Sequence, residues 1–319
     1  MTYGWAILII AIVLAALFSL GVFSPTAYTP KASPGSCQVF RPNGPGTTSF
    51  INLEGICNGE LPQYVAQFNG QNGDITAPLP TTKVTNTTVS IWIFASSNPV
   101  SNTNIFLIGN NGGTNGYGVF VECANNNLAI LESSVRWICT GATFNSLEWQ
   151  NIVLDSIGHN GNVTYEIYLN GAEVYKSGQQ SPPPTPISPM YIGHDPANGG
   201  YFPGYIANVQ IYNTALSSND IQALYQEGIG GAPINLQNLV GWWPLNGNTN
   251  DYSGNDNNGE ALGVYAVGLK TPRENRAART IAIISIAQPY VIKYSIADCD
   301  FNIISLTVRY TQNTSCSNK

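Results

Sequence analysis

The sequence predicts a mainly β protein: an N-terminal apolar α-helix, then an antiparallel β-sandwich, then a small cysteine-pinned β extension. Three observations predict it. Residues 4–23 (GWAILIIAIVLAALFSLGVF) are apolar throughout and carry no charge. From about Tyr64 to Tyr212, short β-branched and aromatic runs alternate with Asn- and Gly-rich clusters, the pattern of an all-β chain with many turns. Six cysteines fall as three sequence-local pairs.

The apolar run comes first. At about 1.5 Å of rise per residue, roughly twenty residues make a helix of about 30 Å, the thickness of a bilayer's hydrocarbon core. No Lys or Arg precedes Lys31, and Pro25 and Pro30 end the run without a small-residue cleavage site, so a retained helix is expected over 1–25 rather than a removed signal. Ala11, Ala15, Ala16 and Gly21 would let such helices approach closely. A membrane anchor and a helix that packs against copies of itself are both open. Residues 26–63, rich in Pro, Ser and Gly, read as a semi-rigid stalk with a cysteine loop.

The sandwich is expected over 64–265. Strands are predicted at Val89–Phe94, Ile105–Ile108, Tyr117–Glu122, Leu128–Glu132, Trp149–Leu154, Val163–Leu169, Met190–Ile192 and Tyr205–Tyr212. Asn170-Gly171 predicts a two-residue hairpin leading into Ala172–Tyr175. One element has helical spacing: Ile221, Leu224 and Tyr225, with Ser217 and Asp220 as a cap and Gly228 as a stop, predict a short helix closing the sandwich. In the extension, 266–319, Thr271-Pro272-Arg273-Glu274 reads as a helix start, with strands at Thr280–Ala287 and Phe301–Tyr310. Lys270, Arg273, Arg276 and Arg279 recur every three residues, the pattern of a solvated helix face.

Composition limits the partners. Only 9% of residues are charged and the net charge is −6, which argues against nucleic acid, whose binding needs a basic footprint. Neighbour pairing, Cys37 with Cys57, Cys123 with Cys139 and Cys299 with Cys316, is the simplest of fifteen connectivities and suits an exported domain. Asn86, Asn162 and Asn313 open Asn-x-Ser/Thr triplets that permit glycosylation at a cell surface.

Two resemblances sharpen this reading. Met1–Phe23, with its Tyr3-Gly4-Trp5-Ala6 start, resembles the apolar helix of archaeal type IV pilin-like proteins, although that family's charged leader and Glu-bearing stretch are missing here. The segments 66–70 (AQFNG), 89–92 (VSIW), 149–153 (WQNIV), 167–171 (IYLNG) and 190–193 (MYIG) follow the order of the laminin-G-like, concanavalin A-like jelly roll. Phe202–Ser217 is similar to that family's closing strand and helix. Residues 239–247 (LVGWWPLNG) look like the family's usual first strand, which here comes last. A circular permutation is therefore expected, with Trp242 packed in the Val89–Phe94 core; a truncated second jelly roll is the alternative.

Asp251, Asn255, Asp256 and Asn257 offer hard oxygens of the kind calcium prefers, and the resemblance to a calcium-binding loop supports Asp251 in particular. Against this, the family's acidic position in the closing strand is Ala207-Asn208 here, and an Asn/Gly turn held by its own hydrogen bonds is an equal reading. For glycans, Trp137, Tyr201 and Phe202 are candidate aromatic contacts, with Asp195 and Asn198 nearby, whereas Trp92, Trp149 and Trp242 are expected in the core. Catalysis is not expected: no pair of carboxylates has glycosidase spacing along a strand, and His159 and His194 have no nucleophile beside them. The combined expectation is a cell-surface filament subunit, homo-oligomeric through its N-terminal helices, with an exposed adhesive or protective jelly roll. A membrane-anchored carbohydrate- or surface-binding adhesin is the alternative, and a glycan-processing enzyme a weaker one.

Overall fold

A computed structural model describes residues 37–55, 57, 61–78, 84–109, 116–124, 126–132, 136–182, 185–186, 189–197 and 200–269, with the backbone of two further strands, 291–294 and 306–309. The apolar run, its packing residues Ala11, Ala15, Ala16 and Gly21, the sequon at Asn313, the Cys299–Cys316 pair and the basic run from Lys270 to Arg279 lie outside the described residues. Among the described residues, no helix is long and apolar enough to cross a membrane. Residues 1–268 and 269–319 form separate units.

The first unit is an antiparallel sandwich. Its strands are β1 (Cys37–Phe40), β2 (Asn52–Gly55), β3 (Tyr64–Asn69), β4 (Asp74–Ala77), β5 (Thr87–Ala95), β6 (Thr103–Ile108), β7 (Tyr117–Val121), β8 (Asn127–Glu132) and β9 (Arg136–Thr143). Then come β10 (Trp149–His159), β11 (Asn162–Leu169), β12 (Ala172–Lys176), β13 (Met190–Ile192), β14 (Pro203–Tyr212), helix α1 (Ser218–Glu227), β15 (Leu239–Trp243), β16 (Glu260–Leu262) and β17 (Tyr265–Gly268). One sheet runs β12-β11-β10-β5-β14-β3-β17, with β15 also paired to β14; the other runs β16-β4-β13-β6-β7-β8-β9. Between them lie Phe68, Ile91, Ile93, Ile105, Phe106, Tyr117, Ile130, Leu154, Ile167, Phe202 and Trp243, all sealed from solvent. Burial of apolar area on this scale is what holds two sheets face to face. The second unit contributes an antiparallel pair, β18 (Val291–Tyr294) with β19 (Leu306–Arg309), and β19 falls inside the predicted 301–310 strand.

Local signals placed several elements. Asn170 and Gly171 both take positive φ (52° and 78°), as a type I′ turn between β11 and β12 requires. Helix α1 starts at a capping box in which Ser217 and Asp220 bond each other's backbone N–H, and it stops at Gly228, whose φ is 80°. Its buried Ile221 and Leu224 lie over Val153, Tyr168, Tyr212 and Trp242 on the outer face of the larger sheet. Strands β4 and β9 have weak β patterns in sequence and appear only through their partners.

The C-terminal third completes the sandwich. Strand β14 pairs with β5 along one edge; along the other, its first half (Pro203–Ile206) pairs with β3 and its second half (Val209–Tyr212) with β15. Strands β17 and β16 then cover the edges of β3 and β4. The strand of residues 239–243 therefore fills an otherwise open edge, but not as expected: Trp242 packs outside the intersheet core, under α1, and its neighbour Trp243 is the core residue. Side chains alternate along a strand, so only one of two adjacent tryptophans can face inward.

The stalk expectation is also corrected in part. Strands β1 and β2 form a hairpin closed by the Cys37–Cys57 disulfide, and it is fastened to the sandwich by buried Arg41. Arg41 donates from Nε to the Ser253 carbonyl (2.8 Å), from Nη2 to those of Leu239 (2.8 Å) and Leu236 (3.2 Å), and from Nη1 to that of Thr47. A guanidinium has five donors, enough to serve four carbonyls from separate segments. The second disulfide, Cys123–Cys139, joins the loop before β8 to β9.

Candidate functional site

The outer face of the seven-stranded sheet carries most of the residues that could recognise a ligand. Cross-strand registers place Glu260, Thr76, Tyr191, Leu107, Gly118, Leu131 and Trp137 in one row across all seven strands. Directly opposed residues share a face. Gly118 is required where it stands, since a Cβ there would lie 2.1 Å from the Phe106 carbonyl oxygen. The middle of the row, Leu107 and Leu131 with Phe120 beside them, is sealed from solvent. Tyr191 and Trp137, at either end of this apolar floor, are half-buried. They are four strand spacings apart, about 19 Å at about 4.8 Å each.

The predicted aromatic contacts have different fates. Phe202 is fully buried between the sheets, because β14 begins beside it and alternation turns its ring inward, so it is removed from the site. Trp137 lies edge-on to Phe120, with centroids 4.8 Å apart and rings at 74°. It therefore serves first as a wall of the apolar floor. Tyr201 is half-buried and stacks flat on His194, with centroids 4.0 Å apart and ring planes 1° from parallel. The two residues form an isolated β-bridge, which holds the rings in register.

Around this stack the fold gathers groups from distant parts of the chain. Asp74, on the same face as Thr76, accepts from the Thr76 hydroxyl at 3.1 Å. Tyr191 faces Asp74 and Asp195; burial first and then these two carboxylates raise its phenol above the ordinary value. Burial lowers the His194 imidazole below its ordinary value, against the opposing pull of Asp74 and Asp195. Buried Asp195 accepts from the Ala197 N–H at 2.9 Å. Beneath the stack, buried Asn104 donates its side-chain amide to the His194 carbonyl, while its backbone N–H donates to Gly200 (3.3 Å). The Asn104 Oδ1 is sealed from solvent and has no hydrogen-bond partner among the described residues. His194, Asp74, Tyr191 and Asn104 were not legible as one site; Gly193-His194-Asp195 so close to Tyr201 was the single signal. Asn198 lies outside the described residues.

Other aromatics depart from expectation too. Trp149, predicted in the core, is half-buried on the outer face of the larger sheet, in a row with Phe94 and Tyr205. Their centroids are 5.6 to 6.4 Å apart and their planes tilt by 42° to 65°, so they pack edge to face rather than as a flat platform. Trp92 stacks on Tyr225 of α1. The sequons at Asn86 and Asn162 are exposed, and Asn86 Oδ1 accepts from the Gly158 N–H.

The Asp251 loop does not fit a divalent cation. Asp251 Oδ1 accepts from the N–H groups of Trp242 (2.9 Å) and Ser253 (2.8 Å), and Oδ2 from that of Asn257 (3.0 Å). Asn255 and Asn257 turn their amide nitrogens, not their oxygens, toward the carbonyls of Leu239 and Val240. Asn255 Oδ1 accepts from the Gly46 N–H, and Asp256 is exposed. Where the jelly-roll resemblance would place an acidic residue, Asn208 sits in a β-bulge with φ of 48° and accepts from Trp242 Nε1 at 2.8 Å. Donors occupy the places where a cation would need oxygens. Among the described residues, no three of His, Cys, Asp and Glu gather as metal ligands.

Comparison with known proteins bears on the fold. Residues 69–222 match a laminin-G-type profile described as the concanavalin A-like lectin/glucanases superfamily. No curated protein matches the chain in sequence. A Bacteroides ovatus protein proposed to bind carbohydrate is similar in structure, with a TM-score of 0.51 and 15% identity over 76% of this chain and 71% of its own. Domain 4 of an extracellular arabinanase from Geobacillus stearothermophilus, solved with arabinotriose, aligns with a TM-score of 0.41 and 19% identity over 61% and 89% of the two chains. The heptameric pentraxin of Limulus polyphemus aligns at 0.46 and 15% over 66% and 97%. The first of these shares the sandwich fold, and the profile over residues 69–222 carries its concanavalin A-like character; the other two carry no weight of their own.

Proposed function

We propose that this chain is a non-catalytic carbohydrate-binding protein of the cell surface, and that its jelly roll holds a neutral glycan at the His194–Tyr201 end of the seven-stranded sheet. The observation that carries the reading is the flat His194–Tyr201 stack beside Asp74 and Tyr191. A pyranose ring offers an apolar C–H face to aromatic rings and hydroxyl donors to carboxylates, and this end of the sheet has both. Neutrality follows from charge. Two carboxylates face the stack, and the two described cationic side chains are engaged elsewhere, Arg41 by backbone carbonyls and Lys176 by Glu166. A sialylated or uronic glycan would meet repulsion that neither of these two side chains offsets.

Burial of Asp195 leaves half-buried Asp74 and, on the neighbouring strand, exposed Glu260 as the accessible carboxylates at this end, and in this reading both serve as acceptors for sugar hydroxyls. Two disulfides fit an oxidising, extracellular setting. The carbohydrate-binding proposal made for the Bacteroides ovatus protein of similar fold agrees with this reading. The apolar segment 1–25 would then present the domain, either by bundling into a filament core or as a membrane anchor. Negative-stain microscopy of sheared cells separates these: regular filaments containing the chain support the bundle, and retention in membranes without filaments supports the anchor. The binding reading itself is tested by screening the domain against neutral and sialylated or uronic oligosaccharides. A neutral hit that Tyr201→Ala and Asp74→Asn abolish is expected; binding that survives both substitutions, or that selects anionic glycans, overturns the site.

A further inference from the structure

The larger sheet carries a surface of its own on the face that also bears α1. Cross-strand registers place Trp149 of β10, Phe94 of β5, Tyr205 of β14, Gln67 of β3 and Tyr265 of β17 in one continuous row. Their neighbours along the strands, such as Ile93, Ile206 and Phe68, fill the intersheet core, so alternation turns the whole row outward. Five strands make four spacings, about 19 Å at about 4.8 Å each. Trp149, Phe94, Tyr205 and Gln67 are half-buried, and Tyr265, on the edge strand, is 64% exposed.

Helix α1 stops short of this row. In the next one, Trp92, the cross-strand partner of Asn151 and Ala207, lies under Tyr225 of α1, with centroids 5.8 Å apart and ring planes 18° from parallel. The helix thus covers the sheet as far as Trp92 and leaves the row beyond it as a shelf with one wall. A strip about 19 Å long and two residues, or about 7 Å, wide offers roughly 130 Å², far below the about 800 Å² per partner of a stable dimer. A second copy is therefore a poor fit. The chemistry of the strip fits a sugar chain. No side chain in it is charged, and all but Phe94 carry a polar tip: a phenol, an indole N–H or an amide. Neighbouring rings tilt by 42° to 65°, so a flat crystalline surface cannot lie on them, whereas a single chain can turn along the row. One sugar of an extended chain is about as long as one strand spacing, so successive sugars meet successive strands.

We propose that this row is a second glycan site, separate from the His194–Tyr201 end of the other sheet, and that it binds one extended chain of a neutral polysaccharide across the strands. Trp149, Phe94 and Tyr205 offer ring faces and edges to the C–H faces of successive sugars. Gln67, between Tyr205 and Tyr265, bonds sugar hydroxyls through its amide, and Tyr265 ends the row at the sheet edge. The first site takes a short neutral glycan beside carboxylates; this one takes length.

The test uses the whole chain, native and with Tyr201→Ala and Asp74→Asn together, which removes the first site. Each is titrated calorimetrically with the xylan, mannan and cellulose oligosaccharide series, from disaccharide to hexasaccharide. In both proteins the affinity for at least one series is expected to rise up to about the pentasaccharide, one sugar to each strand, and then to level off. Trp149→Ala and Tyr205→Ala are each expected to weaken the pentasaccharide about tenfold, while Tyr205→Phe keeps the ring and most of the affinity. The first site is read on the disaccharides, so residual binding that grows with length and falls with Trp149→Ala belongs to the row. If those alanine variants do not fold, Tyr265→Ala decides, since its exposed ring supports no core and its loss is expected to shorten the preferred chain by one sugar. The site is overturned if no series binds, if affinity ignores chain length, if the length dependence disappears with Tyr201 and Asp74, or if crystalline cellulose or oligogalacturonates bind better than the neutral series. It is overturned equally if the aromatic substitutions reduce self-association of the chain and leave glycan binding unchanged.

Discussion

Asp251 and Asp155 are both buried carboxylates in the same sandwich, and their surroundings are opposite. Asp251 sits in an Asn- and Gly-rich loop and accepts three backbone N–H bonds. Asp155 sits mid-strand, opposite another carboxylate, with the Thr88 hydroxyl at 2.6 Å and weaker help from the backbone of Leu216 and Ser156. Burial, and then the charge of Glu166, push its carboxyl up to about 7, against the Thr88 bond, which pulls it down. The difference comes from where backbone donors are free. In a turn the N–H groups are not committed to a ladder and can converge on an oxygen, whereas on a strand paired along both edges most are already used, and a carboxylate gains fewer backbone donors than burial costs it. Burial with donors makes a clamp, and burial with too few makes a titrating group.

This contrast can be broken in several ways. Asp251→Ala should have the largest effect, a loss of about 3 kcal/mol or more in urea unfolding, because three N–H groups lose their acceptor together. A loss below about 1 kcal/mol would put Asp251 among surface turn residues instead. Asp155→Asn should act with the opposite sign at pH 8, adding about 1–3 kcal/mol by removing an uncompensated buried charge, and the gain should vanish near pH 4. Destabilisation at pH 8 would show that the charge is compensated after all.

Tyr201→Ala bears on a third environment, an aromatic pair that supports neither clamp nor core. It should weaken glycan binding about tenfold, by titration calorimetry, while changing stability by no more than about 1 kcal/mol. The smallest expected effect sharpens the clamp reading: chelation with EDTA should leave the melting temperature within about 1 °C, since backbone N–H groups already satisfy Asp251. A clear drop would return the loop to calcium.

Much of the architecture was legible because its signals are local. Alternation marked β5, β7, β10, β11 and β14, Asn170-Gly171 marked the tightest hairpin, and Ser217 with Asp220 marked the helix start. Strands β4 and β9 were not, since DITA and RWICTGAT acquire β structure from their neighbours. The candidate site was legible in one residue of its pair. Tyr201 could be picked out by its Gly and Pro flanks, but Phe202, one position on, points into the core, and a one-residue step reverses the face.

The sequence by itself determined that this is a disulfide-bearing, turn-rich β chain with few charges, that its strands alternate, and that residues 239–243 form a strand. Period-two patterns, turn dipeptides and capping pairs act within a few residues, so they can be read along the chain. Only the tertiary structure decided that Trp243 rather than Trp242 enters the core, that Asp74 reaches the His194–Tyr201 stack, and that Asp155 faces Glu166. Each of these is a matter of register between segments far apart in sequence. Register is set by how two whole faces pack, which no short stretch of residues contains.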